Sequence, residues 1–147
     1  MKHLNAKFDA LMKRDEEELA MLDMLDNGKP YAEAKLDAKF SRQCFRYYAA
    51  KAHGEHAQLV RPSGPVVASD TLAFVEKEPV GVVGAIVPWN FPQTTAAWKL
   101  SPALAAGCMV VLKTAPQTPL SANKMAELII EAGFPPGVVN VLPGDNE

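Results

Sequence analysis

Residues 79–142 read PVGVVGAIVPWNFPQTTAAWKLSPALAAGCMVVLKTAPQTPLSANKMAELIIEAGFPPGVVNVL, and this stretch decides the fold. Three short apolar runs, 81–87, 109–112 and 138–142, are separated by two segments of helical pattern, 94–106 and 121–132. A continuous apolar run is what a buried parallel strand requires. Gly107 and Gly133 stand just past the helical segments, where a left-handed residue commonly ends a helix. Pro102, inside the first of them, predicts a kink or break. Strand, helix, strand, helix, strand with short links predicts a parallel α/β sheet with right-handed crossovers. Gly81 and Gly84 fall within the first strand, where a missing side chain would let a helix pack closely.

Upstream the pattern changes. Residues 1–59 hold 20 of the 32 Lys, Arg, Asp and Glu residues and one proline, Pro30; the remainder holds 11 prolines. The charged part therefore predicts amphipathic surface helices, and the proline-rich part predicts buried strands with tight connections. Leu4, Phe8 and Leu11 have helical spacing. Asp15 is a good N-cap for a second helix, with Glu16, Glu17 and Glu18 favoured by the dipole of its first turn. Asp15 and Glu18 also have the spacing of a capping box. Leu19, Leu22 and Leu25 supply an apolar face, and Asn27-Gly28 followed by Pro30 ends the helix. A third helix is predicted over 31–52, with Leu36, Phe40, Cys44 and Tyr47 or Tyr48 as its stripe. Residues 61–67 predict a turn. Residues 69–77 predict an extended strand, Thr71, Ala73 and Val75 opposing Leu72, Phe74 and Glu76, with one face free to pair elsewhere.

Composition narrows the classes. The 147 residues are one domain's length, and 48% hydrophobic and 22% charged residues are ordinary for a globular domain. A net charge of −2 argues against a nucleic-acid scaffold carried by bulk basicity. No apolar run approaches the roughly 18–20 residues of a membrane span. Residues 1–17 lack the apolar core and cleavage site of a secretory signal. Two cysteines imply no bridging framework and point to a reducing compartment, the cytoplasm. There is no internal repeat or low-complexity tract.

In an open parallel sheet, ligands bind beyond the carboxyl ends of the strands. The first such end is Pro88-Trp89-Asn90-Phe91-Pro92, stiffened by its two prolines. Asn90 could donate its amide to an oxyanion, an interaction worth roughly 3–4 kcal/mol of barrier; from spacing alone, a turn residue is the simpler description. The second end is Lys113. It occupies the place where the dinucleotide fold puts a ribose-binding acid, and it would donate to ribose hydroxyls and tolerate a 2′-phosphate. A surface lysine describes it equally well. Neither G-x-G-x-x-G nor G-x-x-x-x-G-K-[ST] is present. His53 and His56 lie three apart without a further metal ligand in view, so no metal site is expected. Cys44 and Cys108 fit core positions better than nucleophiles.

The run EPVGVVGAIVPWNFP, then AWKLSPALAAG, VVLK, QTPLSA and EAGFPPGVVNVLPG, closely resembles the aldehyde dehydrogenase superfamily; LDNGKP and FRYYAAKA resemble its upstream helical segment. The resemblance implies an α/β chain: N-terminal helices, then part of a Rossmann-like parallel sheet, an incomplete N-terminal fragment of the NAD(P)-binding domain. Residues 1–60 would be helical, 61–79 an extended oligomerisation segment and 80–147 the βαβαβ portion. The family oxidises aldehydes to carboxylates with NAD or NADP, through a cysteine thiolate, hydride transfer and hydrolysis of a thioester. On this resemblance Asn90 is the oxyanion donor. Ile86, Val87, Pro88, Trp89, Lys113, Ala115, Pro116 and Gly144 line or hold the cofactor, with Lys113 on the adenosine ribose. Pro116 stands where many members carry an acid, which leaves the choice of NAD or NADP open. The family's nucleophilic cysteine and general-base glutamate would fall beyond Glu147.

Three readings follow. The chain is part of an aldehyde dehydrogenase and is inactive alone, with weak or no NAD binding. Or it is a non-catalytic nucleotide-binding or subunit-interaction module that joins a full-length relative. Or it is an enzyme of another class on the same sheet. The first is favoured on physical grounds, because the edge at 138–142 would be bare and apolar if nothing completed the sheet. Its expected partners are an aldehyde and further copies of the chain through 61–79, with no nucleic acid or membrane; the expected location is the cytoplasm, with the mitochondrial matrix the alternative for a full-length form.

Overall fold

Three five- and four-residue strands organise the molecule, as a computed structural model describing residues 2–52, 58–60 and 71–145 shows. β3 (Val82–Ile86), β4 (Met109–Lys113) and β5 (Val139–Leu142) pair in parallel in the order β3-β4-β5. The crossovers are α4 (Pro92–Ala105) and α5 (Leu120–Ala132). Both helices lie on one face of the sheet, where Ala85, Val110 and Leu112 are buried. The strands, helices and parallel order match the sequence expectation. α4 runs through Pro102 without a break and begins two residues early, because Pro92 suits a first helical position, where an N–H is not needed.

Among the described residues nothing covers the opposite face, which is largely apolar. Val82, Ile86, Met109 and Leu142 are all exposed. Gly84 is on this face opposite Val111, and a Cβ there would meet nothing within 4 Å. The expectation that Gly81 and Gly84 admit a close helix is therefore corrected. Gly81 precedes β3, with a φ of +96° that a side chain would strain.

α1 (Lys2–Arg14), α2 (Glu16–Asn27) and α3 (Tyr31–Lys51) form a third layer, packed on α4 and α5 and touching no strand. Phe8 of α1 meets Phe45 of α3 edge to face at 4.7 Å and Phe134 after α5 at 6.4 Å. Such pairs add roughly 0.5–1.5 kcal/mol beyond the area they bury.

Two apolar faces differ from expectation. α3 buries Ala34, Asp37, Ala38, Ser41 and Phe45, while Leu36, Phe40 and Tyr47 are exposed and only Cys44 and Tyr48 are half-buried. Small residues let α2 and α4 approach closely, and the larger apolar side chains point away. α2 buries Leu19, Ala20 and Asp23; Leu25 is exposed. Asp15 stands at the N-cap, but its carboxylate makes no cap bond. It is drawn instead to Arg14 and Lys124, which hold it below the usual carboxylate range, hydrogen bonding from Arg14 being the main cause. Gly28 ends α2 as expected, at φ +78°.

β1 (Gln58–Val60), not anticipated from the sequence, pairs antiparallel with β2 (Ala73–Val75). This ribbon packs on no other described element, and Leu59, Leu72 and Phe74 are exposed. The proposed turn at 61–67 and the histidines His53 and His56 lie outside the described residues.

Candidate functional site

The carboxyl ends of β3 and β4 lie side by side, with Ile86 registered opposite Lys113. From each, a proline-rich loop leads to its crossover helix. Past β3, the Val87 N–H donates to the Lys113 carbonyl at 3.0 Å, and Thr95 Oγ1 donates back to the Phe91 carbonyl at 2.6 Å. The loop between them, 88–92, is thus anchored at both ends and stiffened by Pro88 and Pro92. Past β4, the Thr118 N–H donates to the Ala115 carbonyl.

A cleft of about 260 Å³ opens between these loops. Ile86, Val87, Pro88 and Trp89 line one wall, Thr114, Ala115, Pro116 and Gln117 the other, and Asp145 closes it beyond β5. A larger hollow of about 490 Å³ lies elsewhere, among Tyr47, Tyr48, Lys51, Lys77, Pro102 and Ala106. No carboxyl end of the parallel sheet borders it, so the smaller cleft is the candidate site.

Six of the expected residues line the cleft together: Ile86, Val87, Pro88, Trp89, Ala115 and Pro116. Lys113 and Gly144 are joined beside it, Lys113 Nζ donating to the Gly144 carbonyl and, at 2.8 Å, to that of Thr114. Asn90 is exposed on the loop next to Trp89 and is not part of the cleft wall. Thr114, Gln117 and Asp145 were not anticipated; each adjoins a named position, and only that sequence neighbourhood could have suggested them.

These groups suit a dinucleotide. Ile86 and Trp89, 73% and 60% exposed, offer apolar surface to a flat ring. The Lys113 ammonium has three donors, two of them on main-chain carbonyls, which leaves one for a ribose or phosphate oxygen. Thr114 Oγ1 is buried without a hydrogen-bond partner. The 114–119 loop carries no carboxylate; the one acidic residue lining the cleft is Asp145.

Neither cysteine lines the cleft. Cys44 Sγ lies 3.1 Å from Ser101 Oγ, against α4, and Cys108 is 4% exposed. Among the described residues, no three His, Cys, Asp or Glu side chains are grouped to hold a metal, and no helix is long and apolar enough to cross a membrane.

The aldehyde dehydrogenase family model matches residues 2–147. The chain belongs to the aldehyde dehydrogenase family. It is 51% identical to an aldehyde dehydrogenase of Emericella nidulans over 94% of its own length and 27% of that protein. It is also 51% identical to the human mitochondrial aldehyde dehydrogenase, over 91% of its length and 25% of that protein. Among solved structures, an E. coli NADP-dependent enzyme superposes with a TM-score of 0.92 at 39% identity, covering 99% of this chain and 29% of that one. The NAD+ complex of a Bacillus cereus aldehyde dehydrogenase superposes with a TM-score of 0.90 at 46% identity, over 98% and 28%. The chain thus spans about a quarter of the length of the curated relatives it matches. Among the described residues, nothing covers the far face of the parallel sheet and no strand pairs with the outer edge of β5.

Proposed function

We propose that this chain is the cofactor-side portion of an NAD(P)-dependent aldehyde dehydrogenase that oxidises aldehydes to carboxylic acids. Its nucleophile and general base would come from outside residues 1–147. The observation that carries the reading is one cleft with two walls: the stiff loop bearing Asn90 and the turn after Lys113, at adjacent carboxyl ends of parallel strands. The relatives described as an NAD+ complex and an NADP-dependent enzyme support the cofactor class.

NAD or NADP, when bound, supplies the hydride acceptor. Ile86 and Trp89 would contact its rings, and Lys113 would donate to its ribose oxygens. Asn90 would donate its side-chain amide to the aldehyde oxygen as charge develops there, with the backbone held by prolines so that little reorganisation is needed. Neither Cys44 nor Cys108 is placed to attack at this loop. Residues 61–79 would pair across subunits; the exposed apolar side chains of β2 support this. Two unpaired thiols suit a reducing compartment such as the cytoplasm.

The test is aldehyde-dependent reduction of NAD+ or NADP+ by the purified enzyme that carries this chain. Turnover that requires an aldehyde is the expected result. A protein that reduces neither cofactor with any of a graded series of aldehydes overturns the reading.

A further inference from the structure

The turn that closes α2 touches one wall of the cleft and the helix start that follows the other, although it contributes no residue to the lining. Asn27 Nδ2 donates to the Trp89 carbonyl at 2.5 Å. Lys29 Nζ sits 4.8 Å from the centroid of the Phe91 ring. The residues on either side of Asn90 are therefore both held from this turn. Asp26 Oδ2 accepts the Leu120 N–H at 2.8 Å, and Asp23 Oδ1 accepts Ser121 Oγ at 3.2 Å. These two bonds fix the amino end of α5, three residues past Gln117, where the other wall ends.

The turn is itself stiff. Lys29 Nζ lies 3.0 Å from Asp23 and 2.6 Å from Asp37, with its side chain 8% exposed. Burial alone would lower its pKa, but bonding to Asp37 and Asp23 outweighs that and holds it above the ordinary lysine value. Gly28 takes the left-handed conformation that returns the chain toward Asp37. A helix stop alone needs only the glycine. Asp23, Asp26, Asn27 and Lys29 each make at least one side-chain contact beyond α2.

We propose that the α2 turn is a positioning element: Asn27 and Lys29 set the place of the Asn90 loop, and Asp23 and Asp26 set the place of the opposite wall. The inference rests on the oxyanion role proposed for Asn90. None of these four residues touches the reacting atoms; each acts through another. A misplacement of about 1 Å at such a site costs on the order of a hundredfold in rate, so a lost anchor has a measurable effect.

Removing Lys29 would leave Asp23 buried without a counter-charge and would test folding instead. The informative variants are Asn27→Ala, Asp26→Ala and Asp26→Asn in the enzyme that carries this chain, with parent activity measured first. Asn27→Ala is expected to lower kcat about tenfold or more while the cofactor Kd stays within about twofold. Asp26→Ala is expected to weaken cofactor binding more than it lowers kcat, and Asp26→Asn, which keeps an acceptor for Leu120, to restore it. Hydrogen exchange by mass spectrometry supplies a readout independent of turnover: faster exchange confined to 88–95 for Asn27→Ala and to 114–123 for Asp26→Ala. Unchanged kcat and unchanged exchange at 88–95 in Asn27→Ala overturn the proposal. So does a change spread evenly over the whole core, which marks a merely structural role. An inactive parent overturns the function proposed above, and the exchange pattern still decides the positioning.

Discussion

Lys113 Nζ donates to the main-chain carbonyl of Gly144, which ties the end of β4 to the loop leaving β5. The cation that would serve a ribose is thus already oriented by protein carbonyls. Replacing it removes both the tether and the charge. Lys113→Met is expected to weaken NADP+ binding by at least about tenfold, ~1.4 kcal/mol, and NAD+ binding by less, since the 2′-phosphate adds charge at the same place. Calorimetric titration of both cofactors into the enzyme that carries the chain checks this; equal losses would place the phosphate elsewhere.

Pro116 lines the same cleft without a charge. Pro116→Glu puts a carboxylate beside the ribose. The ratio of kcat/KM for NAD+ over NADP+ is expected to rise about tenfold, because like charges repel across a short gap. An unchanged ratio in steady-state assays would remove Pro116 from cofactor choice.

Asp26 has a definite sign of pH dependence. Burial, reinforced by the charge of Asp23, raises its pKa above the ordinary carboxylate value, although the Leu120 N–H pulls the other way. Its folded pKa exceeds its unfolded one. Its favourable contribution is therefore present below the unfolded pKa and is lost as pH rises through the folded pKa. At neutral pH the charge is a cost, so Asp26→Asn is expected to melt no lower than the parent at pH 7. Any advantage should shrink as pH falls through Asp26's raised pKa toward the ordinary carboxylate range. Thermal melts across that window check it, and a variant markedly less stable at neutral pH would contradict the sign.

Residues 1–147 carrying Cys44→Ser and Cys108→Ser are expected to show no aldehyde-dependent NAD(P)H production, and none is expected with both cysteines in place. Turnover by the double variant would mean that the nucleophile is not a cysteine supplied from outside this chain.

The sheet and its helices were legible in the sequence because each signal was local: apolar runs for β3, β4 and β5, and glycines at 107 and 133 for the helix ends. Along α3 burial does not follow side-chain size. Its buried face is Ala34, Asp37, Ala38, Ser41 and Phe45, whereas periodicity weighted by large apolar residues lands on Leu36 and Phe40. β1 was missed because three residues carry no period. In the cleft, the residues adjoining the strand ends were found, whereas Asn27 was read as a helix stop and nothing more. Its bond to Trp89 spans 62 positions, and no local pattern encodes a contact of that range.

The central claim is that Asn90 stabilises charge at the cleft formed by its loop. The most direct measurement is the steady-state and cofactor-binding comparison of Asn90→Ala with its parent in the enzyme that carries this chain. The expected result is a kcat reduced about 10²–10³-fold, with cofactor Kd and melting temperature nearly unchanged. A kcat within about twofold of the parent would contradict the account.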